Sequence, residues 1–103
     1  MKIILACNAA MSTSMMKMRL QQETAARGIE SEVTAVPVSE LDDYIEDVDV
    51  ILLGPQIRYA EKDVRSKYGD VAPIIVMDMK DYGSMNAKGV LDNALKQIEA
   101  FKK

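Results

Sequence analysis

The sequence predicts an α/β protein, a three-layer sandwich in which helices cover both faces of a four-stranded parallel sheet. Three apolar runs carry the prediction: KIILAC at residues 2–7, VDVILL at 48–53 and PIIVM at 73–77. Each is too short for a typical helix and rich in Ile and Val. Near-continuous apolar character marks a parallel strand buried on both faces. The segments between the runs are helical in period, and strand alternating with helix is the pattern of such a sandwich with right-handed crossovers. The chain has 103 residues, one domain's worth, so residues 1–103 are read as a single domain.

The elements follow in order. Residues 2–7 form the first strand. A helix is expected over residues 12–27, stopped by Gly28. Residues 32–38 are a more mixed strand ending beside Pro37, which places it at a sheet edge. A short helical turn is expected over 39–45 with Ser39 as its cap. After the strand at 48–53, Ile57, Ala60, Val64 and Tyr68 recur at helical spacing, and Gly69 closes that helix. The strand at 73–77 precedes the clearest helix, whose apolar stripe is Leu91, Ala94, Leu95, Ile98 and Phe101.

Composition narrows the function. Apolar residues make up 49% and charged residues 28%, close to globular averages, so the chain reads as a compact soluble protein. Aromatics are only 5% with no Trp, leaving aliphatics and eight Met to fill the core. The net charge of −3 comes without a basic run, which argues against nucleic acid as a partner. No apolar stretch reaches the roughly 18 residues of a membrane span, and the N-terminus enters a strand without a signal-peptide cleavage site. No direct membrane insertion is expected, and the cytoplasm is the expected location. The one cysteine, Cys7, cannot form an internal disulfide. With no histidine in the chain, the usual general base, the usual metal ligand and any Cys–His pair are absent. No cofactor and no metal site is read from the sequence.

In open α/β sheets, ligands bind outside the carboxyl ends of the strands, here the segments at residues 7–14, 54–58 and 78–83. The first strand ends at Cys7, followed by Asn8, Ala9, Ala10, Met11, Ser12, Thr13 and Ser14. A cysteine at this junction faces a helix N-terminus, where N–H groups and the dipole favour a thiolate. The same loop would cradle a phosphoryl group on sulfur, because consecutive N–H groups form an anion nest and the hydroxyls of Ser12, Thr13 and Ser14 add donors. A plain structural reading also fits, with Cys7 a small buried hydrophobe and Ser12 a helix cap. Cysteine phosphatases place an arginine six residues after the cysteine, where this chain has Thr13. Lys17 and Arg19 lie more than a turn into the helix, and Asp78 and Asp81 are the carboxylates placed to serve as an acid. A phosphoryl group would be held mainly by backbone and hydroxyls.

The loop C-N-A-A-M-S-T-S-M-M resembles that of the enzyme IIB subunits of the lactose/cellobiose group of the bacterial sugar phosphotransferase system. The likeness runs nearly end to end. It includes L-L-G-P-Q-I-R-Y at residues 52–59 and the Asp-x-x-x-Tyr-Gly pattern at Asp78, Tyr82 and Gly83. The resemblance implies a topology similar to the low-molecular-weight tyrosine phosphatases. It implies that Cys7 accepts a phosphoryl group from phosphohistidine on a IIA partner and passes it to a sugar bound by the membrane-embedded IIC permease. Both partners would supply what a histidine-free chain lacks. A β-linked disaccharide such as cellobiose, lactose or chitobiose is the implied cargo. Family loops commonly carry glycine where Ala10 stands and serine where Asn8 stands. A positive φ at Ala10 would cost roughly 1 kcal/mol, while its N–H is kept, and the Asn8 amide can also donate to phosphate.

Gln56 is expected beside the loop, to hydrogen-bond the phosphocysteine or brace the loop, and Tyr82 and Gly83 to line the same rim. Met11, Met15 and Met16 offer an adaptable docking surface, with core filling the role of at least one. A low-molecular-weight cysteine-dependent phosphatase predicts turnover of phosphate monoesters without a partner. A non-enzymatic phosphate-binding module predicts that Cys7→Ser leaves function intact. A thiol redox role is disfavoured by the lack of a resolving cysteine.

Overall fold

The computed structural model of the chain describes residues 1–7 and 14–102. Four strands, β1 (Lys2–Cys7), β2 (Glu32–Pro37), β3 (Val50–Leu53) and β4 (Ile74–Val76), form one parallel sheet in the order β2-β1-β3-β4. The predicted α/β sandwich is therefore observed, with β2 at an edge as its mixed character required. Strands β1 and β3 are central. All four residues of β3 are buried, and Ile3 to Cys7 of β1 are buried too, which explains their unbroken apolar runs.

Each sheet face has its own core. On one, Ile3, Leu5, Val50 and Leu52 pack with α1 (Ser14–Ala26), α3 (Met79–Gly83) and α4 (Ala87–Phe101) through Met16, Leu20, Tyr82, Leu91, Ala94 and Ile98. On the other, Ile4, Ala6, Ile51 and Leu53 meet Leu41, Ile57, Val64 and Tyr68 from two 3-10 segments, Val38–Asp43 and Pro55–Ala60, and from α2 (Glu61–Tyr68). Odd and even positions of β1 thus bury against opposite layers, as the period of two requires. The chain leaves β1 into the α1 layer and leaves β3 into the α2 layer. Adjacent strands whose connections depart to opposite faces open a crevice at their carboxyl ends. Cys7 stands there.

Several boundaries differ from expectation. Helix α1 ends with Gly28 at φ 71 and the Ile29 N–H on the Thr24 carbonyl at 2.8 Å, a left-handed glycine stop as predicted. The turn after β2 is a 3-10 helix whose cap position is Pro37, with no side-chain cap, so Ser39 does not cap it. Proline fixes the extended φ that enters the turn, and a capping hydroxyl is not used. The stripe from Ile57 to Tyr68 belongs to two pieces, because Pro55 starts a 3-10 segment and Ile57 adopts φ −118, ψ 28. Gly69 does close α2, but in the right-handed region; a Cβ there would lie 2.4 Å from the Arg65 carbonyl oxygen. In α4, Leu91, Ala94 and Ile98 are buried, whereas Phe101, in the last turn, is 43% exposed and lines an open cleft with Ala72, Pro73 and Ile74.

Two polar ties close the layers. Arg27 bridges Glu23 at 2.8 Å and Asp92 at 2.7 Å, joining α1 to α4 and raising the guanidinium pKa further. The Tyr68 hydroxyl donates to the Asp42 carboxylate, joining α2 to the first 3-10 segment.

Candidate functional site

Cys7 is the last residue of the central strand β1, paired with Pro37 of β2. On its other side the register Ala6 to Leu53 and the Gly54 N–H on the Ala6 carbonyl at 3.2 Å set Gly54 level with it. The Met77 N–H on the Leu53 carbonyl, at 2.9 Å, brings the end of β4 to the same level. Three of the chain's strand ends therefore converge around one thiol. Its Sγ–H donates to the Val36 carbonyl at 3.6 Å, and the residue is buried.

Asn8, Ala9, Ala10, Met11, Ser12 and Thr13 lie outside the described residues. Ser14 is the first residue of α1 and is exposed. The first turn of α1 carries no acidic side chain, so no carboxylate competes there with an anion. Met16, one turn into α1, is fully buried against Ile3 and Leu5 and anchors the helix start to the sheet; core filling is its role. Met15 is 47% exposed.

Of the supporting residues, Tyr82 is buried in the core that holds Ile3, Leu5 and Met16, and Gln56 is exposed beyond the end of β3. Asp78 caps α3, its Oδ1 accepting the Lys80 N–H at 2.7 Å, and the Tyr82 N–H donates to the Asp78 carbonyl at 2.9 Å. That short helix turns the Tyr82 ring into the core that holds Ile3, Leu5 and Met16. Burial, and then the nearby charge of Cys7, push the Tyr82 hydroxyl above its ordinary pKa. Gln56 sits in the 3-10 segment between buried Pro55 and buried Ile57, and its own side chain is exposed. Gly83 is exposed at the end of α3.

Arg58, Tyr59 and Met79 were not singled out by sequence reasoning. A cleft of about 350 Å³ opens beside the β3 and β4 ends, lined by Pro55, Arg58, Val76, Met77, Asp78 and Met79. Met79, in that lining, is 67% exposed, and Tyr59, next to Arg58 in the chain, is 76% exposed. The available signal was the position of Arg58 and Tyr59 inside L-L-G-P-Q-I-R-Y, at a strand's carboxyl end. A roomier cleft of about 420 Å³, lined by Met1, Lys2, Glu32, Glu46, Asp47 and Asp49, lies at the amino ends of the strands, across the sheet from Cys7. The two carboxylates considered as a hydrolytic acid have local duties: Asp78 caps α3, and Asp81 Oδ1 accepts from Asn86 Nδ2 at 3.1 Å. Among the described residues no three carboxylate or cysteine side chains converge to hold a metal ion. No described helix is long and apolar enough to cross a membrane.

A buried thiol at the carboxyl end of a strand inside the sheet stands where open α/β sheets bind their ligands. Residues 2–93 match the family model described as "PTS system, Lactose/Cellobiose specific IIB subunit". The chain is 35% identical over 96 residues to the galactose-specific EIIB component of Lactococcus lactis subsp. cremoris, covering 86% of this chain and 88% of that one. It is equally close to the cellobiose-specific EIIB component of L. lactis subsp. lactis, and 28% identical over 95 residues to the oligo-beta-mannoside-specific EIIB component of Bacillus subtilis, covering 91% and 92%. Among solved structures, the cellobiose-specific phosphotransferase IIB component of Borrelia burgdorferi superposes with a TM-score of 0.79 at 32% identity, over 97% of this chain and 93% of that one. The chain belongs to the lactose/cellobiose-specific IIB family of the sugar phosphotransferase system.

Proposed function

We propose that this IIB component carries a phosphoryl group on Cys7, taking it from phosphohistidine of a IIA protein and giving it to a sugar held by a IIC permease. In the first step the histidine N–P bond breaks and the S–P bond forms, and the thiol proton ends on the imidazole. In the second the S–P bond breaks, the phosphoryl group goes to a sugar hydroxyl, and the hydroxyl proton returns to the thiol or to solvent. The observation that carries the reading is the position of Cys7, at the carboxyl end of the central strand, in the crevice between oppositely departing connections.

Asn8, Ala9, Ala10, Met11, Ser12, Thr13 and Ser14 form the cradle in this reading, their N–H groups and hydroxyls neutralising the phosphoryl oxygens. Gln56 and Tyr82 support it, the first from the rim and the second from the core. The chain works on the cytoplasmic side, where IIA and IIC are met in turn. The cargo is a β-linked disaccharide, in keeping with the cellobiose and oligo-beta-mannoside specificities of its relatives.

The test is intact-protein mass spectrometry after incubation with phosphoenolpyruvate and the upstream phosphotransferase proteins, comparing the native chain with Cys7→Ser. One added phosphoryl mass on the native chain alone, released by iodine as a thiophosphate is, is the expected result. No added mass with a competent IIA present would overturn the reading and turn attention to phosphatase assays.

A further inference from the structure

We propose that the cleft beside the β3 and β4 ends is a sugar subsite, taking the second ring of a disaccharide whose first ring receives the phosphoryl group from Cys7. The proposal rests on the carrier reading of Cys7 and on a disaccharide cargo.

Position is the first argument. The order β2-β1-β3-β4 puts β3 between the strand that ends at Cys7 and the strand that ends at the cleft. Neighbouring strands lie about 4.8 Å apart, so the end of β4 is roughly 10 Å from the end of β1. Two linked rings bridge that gap and a single ring does not. The cleft also lies between the two layers. Pro55 and Arg58 come from the 3-10 segment on the α2 side, while Met79 opens α3 on the α1 side, with Asp78 as its cap. Open α/β sheets bind their ligands in such a place, outside the carboxyl ends of the strands.

The lining is the second argument. A volume of about 350 Å³, with apolar walls and few polar groups, is that of a small-molecule site. Pro55 and Met77 are buried and Val76 is half-buried, which gives the cleft an apolar base, and Arg58, Asp78 and Met79 stand exposed around it. Among the described residues Arg58 makes no ion pair and no hydrogen bond. Asp78 Oδ1 accepts the Lys80 N–H at 2.7 Å, and its Oδ2 has no partner there. Two opposite charges therefore line one cleft without bridging each other.

That pairing selects the ligand. An anion drawn to Arg58 meets the Asp78 carboxylate, and a cation drawn to Asp78 meets the guanidinium, so a neutral ligand is favoured. An apolar segment would strip water from both charges and pair neither. Arginine only donates and an ionised aspartate only accepts, whereas a sugar hydroxyl does both. Hydroxyls of one ring accept from Arg58 and donate to Asp78, each bond charge-assisted, and the C–H face of the ring rests on Pro55 and Met79.

The experiment titrates the isotopically labelled chain with cellobiose, following the Met79 methyl and the Arg58 Nε–H by NMR, with sucrose at equal concentration as the control for non-specific effects. Saturable shifts at millimolar cellobiose, absent with sucrose, are expected. Arg58→Gln should weaken binding by about tenfold, the loss of one charge-assisted hydrogen bond. Asp78→Asn keeps an oxygen that caps α3 and accepts from the ligand, and should weaken binding by about threefold. Both side chains are exposed, so an unchanged Tm shows that each variant is folded. No saturable shift in the native chain, equal shifts with sucrose, or native affinity in both variants would overturn the proposal. The carrier reading is scored separately, by the phosphoryl mass that the native chain gains from phosphorylated IIA. Mass gained without cellobiose shifts removes the subsite alone; shifts without mass keep the sugar site and remove the carrier, and with it the role given to the first ring.

Discussion

Leu20 is the middle of the three buried side chains of α1, between Met16 and Thr24, and is fully inaccessible. Because α1 has so narrow a buried stripe, that one leucine carries much of the hold between the helix and the face of the sheet that includes Ile3 and Leu5. Leu20→Ala removes three carbons from this core, worth about 2.4 kcal/mol in transfer free energy at ~0.8 per methylene. The cavity left behind adds to the cost, for a total of about 3–4 kcal/mol. In a domain of this size each kcal/mol lowers Tm by roughly 4–8 °C, so a drop of about 12–30 °C is expected. Met18, on the same helix but 49% exposed, is the control, and Met18→Ala should stay within about 0.5 kcal/mol. Urea titration followed by far-UV circular dichroism measures both, with the midpoint moving and the slope constant if the transition stays two-state. Equal effects from the two substitutions, or a larger one from Met18→Ala, would show that the wrong face of α1 has been assigned to the core.

Tyr68 donates to Asp42, and that bond, with burial, pushes its pKa up to about 12 from the usual 10.0. A raised folded-state value means the contribution is complete below pH 10 and is lost as pH climbs toward 12, so alkaline denaturation should steepen in that window and Tyr68→Phe should flatten it. At neutral pH the same substitution should cost about 0.5–1.5 kcal/mol by thermal melt, the worth of one hydrogen bond whose exposed partner returns to water. The glycines should separate: Gly28→Ala at φ +71 costs about 1–2 kcal/mol. Gly69→Ala forces Cβ against the Arg65 carbonyl oxygen 2.4 Å away and costs about 1–3 kcal/mol. Gly83→Ala meets open space and should be neutral or stabilising by up to about 1 kcal/mol, again by melt. On the rim, Arg58→Glu should slow capture of a phosphohistidine partner by about tenfold at low salt, with the difference shrinking as salt is raised and Tm unmoved.

The strands were legible because β1 and β3 are buried on both faces, and β4 at least partly so, and all three announce themselves as unbroken apolar runs. Their order was less legible, since nothing in a short run of Ile and Val says which neighbour it pairs with. The helix after β3 was read as continuous because Ile57 and Val64 do bury on one face; what the pattern hides is that Pro55 and the φ of Ile57 put the first of them in a 3-10 turn. Phe101 kept the helical spacing of α4 yet is 43% exposed, because periodicity reports a face of a helix and not how tightly its last turn is covered. Within the site, Cys7 was readable from purely local facts: a strand end, a run of small and hydroxylated residues, a helix. Tyr82 was placed on the rim by motif, whereas its burial in the core depends on Asp78 starting a short helix just after β4. Arg58 was passed over for the same reason, since a lone arginine after a strand acquires meaning only when β4 brings Asp78 and Met79 opposite it.

A carrier has to satisfy two opposed demands: the bond to phosphorus must form and break readily between partners, yet persist in water between encounters. The chain meets the second demand by what it places near the sulfur. Both candidate carboxylates are committed, Asp78 to the Lys80 N–H and Asp81 to Asn86, and the sequence has no histidine to activate a water. Cys7 itself is level with Gly54, which brings no functional side chain. A neutral donor can stabilise a leaving thiolate without deprotonating water, which a carboxylate at the same place would do. In the proposed relay the first demand is met from outside, when one partner brings the imidazole and the other the sugar hydroxyl. On this account the commitment of Asp78 and Asp81 to local bonds is what separates transfer from hydrolysis, and a free carboxylate introduced beside Cys7 would convert the carrier's resting state into one that loses its cargo.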